Sequence, residues 1–347
     1  MKKRGPLGMK KYKRVVITLG IFLGLLVTMI VSGALYANYL FDSTLDQMVV
    51  TQPIQKEEAS ISQAVIEKEE ETSVTNIAVF GLDRNGDGSN GRSDAMKVLS
   101  LDTKNKTAKV TSLQRDTLIY IPGEIQDFDK LNHAYAYGGA KLAMQTINYN
   151  FDLDLTRYVT FDFDAIEFII DSIGGVDIEV LSKEISSIPG VLQSGIQTLS
   201  GSQALSYMRI RYADSDYVRM SRQTTVMKAI FAKLKETSYT KLLTLLNESL
   251  PFIETNLTKE EILNLGMEAL KVDFNQIEQY QIPQNGYEDI NHSVSYKGYS
   301  PLYVLDSYET VVKQLHEGIY GDSNYEPSTT VLELEASIYE KFGYVEN

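Results

Sequence analysis

The sequence predicts an α/β protein in which a central mixed β-sheet is flanked by helices, following one N-terminal membrane-spanning helix. Strand-like and helix-like segments alternate across residues 75–223, and residues 15–41 contain no charged side chain. With 43% apolar residues among 347, the chain can bury at least one sizeable core. We therefore expect one large domain, over 75–321, on the outer side of a membrane.

The N-terminal residues predict the topology. At a rise of about 1.5 Å per residue, an uncharged run over 15–41 exceeds the ~20 residues that cross a bilayer core. Residues 1–14 carry only basic charges, so this tail is expected in the cytoplasm and everything after residue 41 outside. A cleaved signal peptide is the alternative, but its apolar region is usually only about 7 to 15 residues long. The protein is thus expected in the cell membrane as a single-pass protein.

The next segments are predicted from composition and periodicity. Residues 42–74 are polar and acidic, which favours an extracellular stalk. Short apolar runs at 75–83, 95–102 and 108–113 predict the first three strands of the domain. Residues 322–347 are again acidic and predict a loose C-terminal tail.

Helices and strands then alternate along the chain. The predicted elements are a helix over 139–150, a strand over 157–163, a helix ending at Gly174 and Gly175, a strand over 176–180, and a helical pattern over 224–271. Within the last of these, TKEE from Thr258 to Glu261 predicts a capping box at the start of a helix.

Composition excludes several classes of chemistry. The chain has no cysteine, which excludes disulfides, thiolate metal sites and a cysteine nucleophile. Three histidines leave little room for a multi-histidine metal site or a Ser-His-Asp triad. A formal net charge of -13 argues against general nucleic-acid binding, which needs a broad basic surface.

Arginine is concentrated in one region of this acidic chain. The arginines beyond the N-terminal tail are Arg84, Arg92, Arg115, Arg157, Arg209, Arg211, Arg219 and Arg222. A guanidinium group is planar and pairs with phosphate oxygens, so a site for a multivalent phosphate would favour arginine over lysine. For any single arginine, a solvated basic face or an ion pair with a nearby aspartate is the alternative.

Spacing groups several of these residues. Arg209 and Arg211 are two residues apart and would share one face if that segment is extended. Arg219, Arg222 and Gln223 would share one face of a helix that starts near residue 216. The N-terminus of that helix would add backbone N–H groups that favour an anion.

A second feature is the Gly/Asp/Asn loop over 81–96. The residues that fit a calcium loop are Asp83, Asn85, Asp87, Gly88 and Asp94. Such a loop requires a helix on each side, whereas both flanks here predict strands. The alternative keeps Asp83 and Asp94 as oxygen ligands for Mg²⁺, which commonly takes one or two carboxylates together with substrate phosphates and water.

A third feature is SLQRD over 112–116, where Arg115 and Asp116 close an apolar strand. Alone, this pattern is also typical of an ion pair at the end of a strand. It gains significance beside the acidic loop and the arginine cluster.

Taken in order, these segments resemble the LytR-CpsA-Psr family of Gram-positive cell-envelope proteins. The matching segments are GLD (81–83), RSDAM (92–96), SLQRD (112–116), KLNHAYAYGG (130–139), DSIGGVDIEV (171–180), LSGSQALSYMRIRY (199–212) and SDYVRMSRQ (215–223). The resemblance implies an α-β-α domain acting as an extracellular phosphotransferase. Such an enzyme moves a glycopolymer from a polyprenyl pyrophosphate carrier to peptidoglycan.

The resemblance also implies the roles of site residues. Asp83 and Asp94 would hold Mg²⁺, and Asp94 and Arg115 would act in catalysis. The residues implied to surround the pyrophosphate are Arg92, Arg115, Arg209, Arg211, Arg219 and Gln223. Arg222 is then expected to be structural. Either metal-site carboxylate is a candidate for the base that activates the acceptor hydroxyl.

Some residues depart from the family pattern. Gln114 stands where the family usually has proline, Lys97 stands at an often apolar position, and SDYVR replaces a more flexible turn before Arg219. Two other functions are alternatives. A phosphatase would use the same residues to hydrolyse the lipid pyrophosphate with water. A non-catalytic envelope regulator is the other alternative, because members of the family are labelled transcriptional attenuators. The sequence does not decide between teichoic acid, capsule and other wall polysaccharides as the polymer.

Overall fold

The protein is described here from a computed structural model. The residues it describes are 49–69, 72–82, 91–210, 216–238, 241, 244–245, 248, 253–269, 271–272 and 277–344. The predicted cytoplasmic tail over 1–14 and the predicted membrane span over 15–41 lie outside these ranges. None of the helices within them is both long enough and apolar enough to cross a bilayer.

A central mixed sheet organises the domain, as the sequence predicts. The strands of the described residues are β1 (Val49–Val50), β2 (Val74–Leu82), β3 (Ser93–Asp102), β4 (Thr107–Leu113), β5 (Leu118–Ile121), β6 (Asp127–Lys130), β7 (Tyr158–Asp162), β8 (Val176–Val180), β9 (Gly195–Leu199), β10 (Ile253–Thr255), β11 (Glu278–Ile282), β12 (Ile290–Tyr296) and β13 (Tyr299–Leu305). The central sheet has the order β1-β10-β7-β2-β3-β4-β11. The β2–β3 and β3–β4 pairs are antiparallel, whereas β2–β7 and β4–β11 are parallel. The three strands predicted to open the domain are confirmed as β2, β3 and β4.

The helices cover both faces of this sheet. They are α1 (Gln63–Glu69), α2 (His133–Phe151), α3 (Phe163–Ser172), α4 (Gly201–Met208), α5 (Asp216–Lys235), α6 (Lys259–Ala269), α7 (Tyr308–Tyr320) and α8 (Thr329–Phe342). The antiparallel pairs β5–β6, β8–β9 and β12–β13 lie beside the central sheet.

Side-chain alternation along β3 separates the two faces. Val98 joins the large cluster that contains residues of α2 and α7, such as Met144 and Val312. Leu101 points to the opposite face and belongs to a second apolar cluster. Met227 of α5 packs against that cluster. Because successive side chains of a strand point to opposite faces, β3 is covered by helices on both sides. The predicted layered α/β arrangement is therefore present.

Helix α2 starts earlier than the sequence predicts. The predicted helix covers 139–150, but helical residues begin at His133, and a kink follows at Gly138 and Gly139. Gly139 has φ 63° and ψ -157°, a conformation that side-chain-bearing residues rarely adopt. The two glycines interrupt the helical spacing of apolar residues, so this spacing did not predict the helical residues before them.

The segment expected to be a stalk is packed against the domain over its described part. Strand β1 pairs with β10, and Ala59 is completely buried. The Asn148 side chain of α2 donates to the carbonyl oxygen of Ala59 at 2.8 Å, and Gln145 donates to that of Glu58 at 2.6 Å. The spacer predicted over 42–74 is thus wrong from residue 49 onward. The segment is polar overall, and composition does not show that one buried residue and two backbone carbonyl oxygens attach it to the domain.

The predicted loose tail over 322–347 is also wrong, because α8 lies within it. Ile338 and Val331 face the main core with 0% and 1% exposure. The Ser328 side chain caps the helix and donates to a carboxylate oxygen of Asp152 at 2.8 Å. The acidic residues lie on the outer side of a packed helix, and overall charge alone did not reveal this.

The long helical pattern over 224–271 is interrupted by a strand. Strand β10 separates α5 from α6 and pairs with β7 and β1. The capping box before α6 is confirmed: the Glu261 amide donates to Thr258 Oγ1 at 3.2 Å, and the Thr258 amide donates to Glu261 Oε2 at 3.0 Å.

Candidate functional site

The first part of the site is a β-bulge at the start of β3. Gly81 pairs with Ala95, but the next residue of β2, Leu82, pairs with Ser93. Asp94 is therefore the extra residue on β3. A bulge bends the strand and changes the direction of a side chain, and bulges are common next to active sites. This one places the Asp94 carboxylate at the end of the central sheet.

Arg115 follows β4 and meets this carboxylate. Its Nη1 atom donates to Asp94 Oδ1, and its Nε atom donates to Asp116 Oδ2 at 3.3 Å. Lys130 Nζ in turn donates to Asp116 Oδ1 at 2.7 Å. Alternating charges thus hold the Arg115 side chain between two carboxylates. We call Asp94 and Arg115 the strand pair.

Gln114 shapes the turn that presents Arg115. Its backbone N–H donates to the carbonyl oxygen of Ile282 at 3.0 Å, and its side-chain Oε1 accepts from the Asp116 amide at 2.7 Å. A proline at this position could make neither bond. Gln114 therefore fixes this turn with two hydrogen bonds, whereas the proline expected from the family pattern would fix it through its ring. Arg115 lies at the end of the strand.

The second part of the site lies on α5, which begins at Asp216 as expected. Arg219 and Gln223 are one helical turn apart and only 3% and 5% exposed. We call them the helix pair. Among the described residues, Gln223 Oε1 is a buried oxygen without a hydrogen-bond partner. Buried polar atoms normally have partners, so this oxygen is suited to an N–H or O–H donor from outside the described residues.

Arg222 has a different environment, and its predicted structural role is confirmed. Its Nε donates to Glu184 Oε1 at 2.7 Å, and its Nη1 donates to the carbonyl oxygen of Ile210 at 3.3 Å. Both partners of the ion pair are almost fully buried. The pair anchors α5 to the segment between β8 and β9.

Arg209 is the C-cap residue of helix α4, with φ -93° and ψ -1°, so its backbone is not extended, which was the condition for sharing a face with Arg211. Its guanidinium carbon lies 4.9 Å from the centre of the Phe163 ring. Arg211 lies outside the described residues, as does Asp83, so their predicted roles remain predictions.

Arg92 is exposed and lies against an aromatic cluster that sequence reasoning missed. Its guanidinium carbon is 5.5 Å from the ring centre of Tyr299, on β13. The His133 ring packs edge-on against Tyr299 at 4.3 Å, and its Nδ1 lies 2.8 Å from Asp129 Oδ1. Burial alone would raise the pKa of Asp129, but hydrogen bonds from His133, Tyr137 and the Lys130 amide lower it. His133 and Asp129 thus support the ring beneath Arg92. Only KLNHAYAYGG marked this region, and no pattern marked Tyr299.

Lys97 of β3 connects the central sheet with α5. The Lys97 ammonium group donates to Ser112 on β4 and to Met220 and Thr224 on α5. The sequence showed Lys97 only as a departure from an apolar position.

The described side chains include one of the two carboxylates predicted to hold a metal ion, that of Asp94. Within the described ranges, no group of three or more His, Asp or Glu side chains could hold one. Asp94 offers hard carboxylate oxygens, and Mg²⁺ is often held by one or two carboxylates with phosphate oxygens and water completing its shell. The donor set is therefore suited to a metal that arrives with a phosphate.

Comparison with known sequences gives a family match and related enzymes. The model of the LytR_cpsA_psr family matches residues 37–311. The polyisoprenyl-teichoic acid–peptidoglycan teichoic acid transferase TagU of Bacillus mycoides is 31% identical over 277 residues, which cover 77% of this chain and 87% of TagU.

Comparison with solved structures finds the same fold. TagT bound to LIIa-WTA superposes with a TM-score of 0.57 at 28% identity, covering 72% of this chain and 91% of TagT. TagT, a B. subtilis protein, has also been solved with octaprenyl pyrophosphate; that structure gives a TM-score of 0.53 at 26% identity over the same shares of both chains.

Proposed function

The chain belongs to the LytR-CpsA-Psr family, and on that premise we propose that it transfers a glycopolymer from a polyprenyl pyrophosphate carrier to peptidoglycan. TagU is named as a polyisoprenyl-teichoic acid–peptidoglycan teichoic acid transferase, and TagT has been solved with octaprenyl pyrophosphate and with LIIa-WTA. The chain is thus a transferase of the kind that the sequence predicts.

The observation that carries the proposal is the strand pair. A permanently charged guanidinium is fixed beside a carboxylate at the end of a rigid sheet. Phosphoryl transfer requires mainly positioning and neutralisation of charge, and both can be supplied without a cysteine or histidine nucleophile. The helix pair adds the buried Arg219 guanidinium and the N–H donors of the Gln223 amide, and both suit phosphate oxygens.

The reaction balances without an external energy source. An oxygen of a peptidoglycan hydroxyl attacks the phosphorus that bears the glycopolymer, and the bond from that phosphorus to the bridging oxygen breaks. A phosphodiester forms, polyprenyl phosphate leaves, and the hydroxyl proton is released. The pyrophosphate linkage supplies the free energy. Arg115 is positioned to neutralise the negative charge that develops on the phosphate oxygens.

Mg²⁺ is part of the proposal, with Asp94 and Asp83 as its carboxylate ligands. When bound, the ion would withdraw charge from the phosphate oxygens. Support comes from the Asp94 carboxylate at the strand end, and from the sequence position of Asp83 directly after β2. Asp94 and Asp83 are also the candidates for the base that accepts the hydroxyl proton.

The cellular location also belongs to the proposal. Residues 15–41 are long and apolar enough for one membrane span, and the basic residues before them favour a cytoplasmic N-terminus. The domain would then face the wall, where the acceptor peptidoglycan lies. We propose that it works at the outer surface of the cell membrane.

Reconstitution tests this function. The full-length chain in detergent micelles is incubated with Mg²⁺, a lipid-linked teichoic acid precursor and peptidoglycan oligomers, and the conjugate is measured by mass spectrometry. We expect conjugate with the wild type and a loss of about 100-fold or more with Arg115→Ala, because an essential charge in the transition state is removed. Arg157→Ala is the matched control, because Arg157 pairs with Glu261 outside the site.

The same assay separates the alternative functions. Release of phosphate from the precursor at an equal rate with and without peptidoglycan would identify a phosphatase. Equal conjugate formation by wild type and Arg115→Ala, or none by either, would refute the transferase mechanism proposed here.

A further inference from the structure

Lys97 is a buried cation in an otherwise apolar part of its strand face. Leu99 and Leu101 follow it on the same face of β3 and pack in the apolar layer between the sheet and α5. Lys97 is only 5% exposed. A buried ammonium group is costly, and an apolar side chain of similar volume is often as good or better for stability. The position of Lys97 therefore needs an explanation other than core packing.

The ammonium group makes a complete set of hydrogen bonds. Lys97 Nζ donates to Ser112 Oγ at 2.6 Å, to Thr224 Oγ1 at 3.0 Å and to the Met220 carbonyl oxygen at 3.2 Å. A protonated lysine has three N–H donors, and each has an acceptor here. One acceptor belongs to β4 and two belong to α5. The side chain therefore connects two strands of the sheet with one helix.

The two acceptors on α5 directly follow the helix pair in sequence. Met220 comes after Arg219, and Thr224 comes after Gln223. Thr224 Oγ1 also donates to the Met220 carbonyl oxygen at 3.1 Å, so both acceptors belong to one hydrogen-bonded turn. Holding this turn against the sheet fixes the rotation of α5 about its axis, which sets the direction of Arg219 and Gln223.

The positive charges of Lys97 and Arg219 would both be stabilised by an anion bound at the helix pair. Burial, and then the positive charge of Arg219, lower the pKa of Lys97 from 10.5 to about 7. The two cations are close enough to oppose each other, and a polyanion bound by Arg219 would reduce that repulsion. The arrangement is costly for the chain alone and favourable with an anion present.

We infer that Lys97 is a positioning residue for the pyrophosphate, which holds the first turns of α5 against β3 and β4 so that the helix pair and the strand pair face the same anion. This inference rests on the proposed function. Lys97 acts through the helix pair and need not touch the substrate itself. It provides a polar connection between sheet and helix within an otherwise apolar layer.

Binding of geranyl pyrophosphate tests the inference. Full-length protein in detergent micelles is titrated with this short carrier analogue in the presence of Mg²⁺, and the Kd is measured by calorimetry. Lys97→Met keeps the length of the side chain but removes its charge and its three hydrogen bonds. We expect an affinity loss of about tenfold, the scale of one charge-assisted hydrogen bond to the anion, because α5 would no longer be held where Arg219 can make that bond.

The matched control is Lys228→Met on the same helix. Lys228 lies one turn beyond Thr224 and also donates its ammonium group to a backbone carbonyl, that of Ile277. Its loss should change the Kd by less than about twofold, because α5 stays fixed at its N-terminal end. Thr224→Val removes one acceptor with little change in shape, and it should weaken binding in the wild type but add little to Lys97→Met.

The outcomes distinguish the inference from the proposed function. Wild-type affinity in Lys97→Met, or an equal loss in Lys97→Met and Lys228→Met, overturns the role of Lys97 and leaves the transferase intact. If Lys97→Met does not fold, an unchanged Kd in Thr224→Val overturns the role in the same way. If the folded wild type itself does not bind geranyl pyrophosphate, the proposed function falls and the inference with it.

Discussion

At the scale of single residues, Lys97 should make the stability of the protein depend on pH. Its pKa is about 7 in the folded protein and 10.5 in an unfolded chain. Between these values the unfolded chain binds one more proton than the folded protein, so stability rises as pH increases. Below pH 7 both states are protonated, and the full cost of the buried charge is present.

The measurement compares wild type with Lys97→Met by chemical denaturation. From pH about 7.5 to about 9.5, the wild type should gain about 2 kcal/mol in free energy of unfolding relative to the variant. Taking the difference between the two proteins cancels the titration of other groups. A parallel pH dependence in both proteins would show that Lys97 is not the group that titrates.

A second residue-scale prediction concerns Tyr299 beneath Arg92. Tyr299→Leu removes the aromatic face that attracts the guanidinium group at 5.5 Å. At an exposed site such a contact contributes about 0.5 to 1 kcal/mol, so the Kd for geranyl pyrophosphate should rise about two- to fivefold. The effect should vanish in an Arg92→Ala background. Full additivity of the two substitutions would contradict a role of Tyr299 through Arg92.

At the scale of elements, α8 should contribute to the core although its sequence is acidic. Ile338→Ala removes a completely buried side chain and should lower the free energy of unfolding by about 2 to 4 kcal/mol. Leu332 lies on the same helix with 42% exposure, so Leu332→Ala should cost less than about 1 kcal/mol. Thermal or chemical unfolding of both variants checks this. Equal effects would mean that α8 does not pack as described.

At the scale of the whole molecule, a bound pyrophosphate should slow amide hydrogen exchange in both the central sheet and α5. The strand pair lies at the end of the central sheet and the helix pair lies on α5, so one bound anion would hold both. We expect geranyl pyrophosphate with Mg²⁺ to slow amide hydrogen exchange in residues 93–95 and 216–223 but not in α8. Mass spectrometry measures this difference. Protection of only one of the two segments would contradict a shared site.

Much of the fold could be predicted from the sequence because strand alternation and glycine signals are local. β2, β3, β4 and β8 follow apolar runs bounded by turn residues, and the predicted layers are present. The segments predicted wrongly, 49–69 and 322–344, are polar or acidic overall. Their packing depends on a few buried residues, such as Ala59 and Ile338, whose partners are distant in the chain.

The site could be predicted only in part, for the same reason. Arg115 and Asp94 were identifiable from their segments, and Arg222 was separable from its neighbours. Tyr299 and Lys97 gain their roles from contacts with residues more than a hundred positions away. No spacing rule detects such contacts, because they arise from the way sheet and helices are stacked.

The bulge at Asp94 places a constraint on chain length as well as on residue type. Because Leu82 pairs with Ser93 and Gly81 with Ala95, the strand has one residue more than its partner requires. Deleting a single residue here would restore regular pairing and retain most of the neighbouring side chains. The carboxylate beside Arg115 would nevertheless be lost or turned to the other face, as happens with any one-residue shift in a strand. We therefore expect insertions and deletions at this strand end to be tolerated less well than substitutions of its apolar residues.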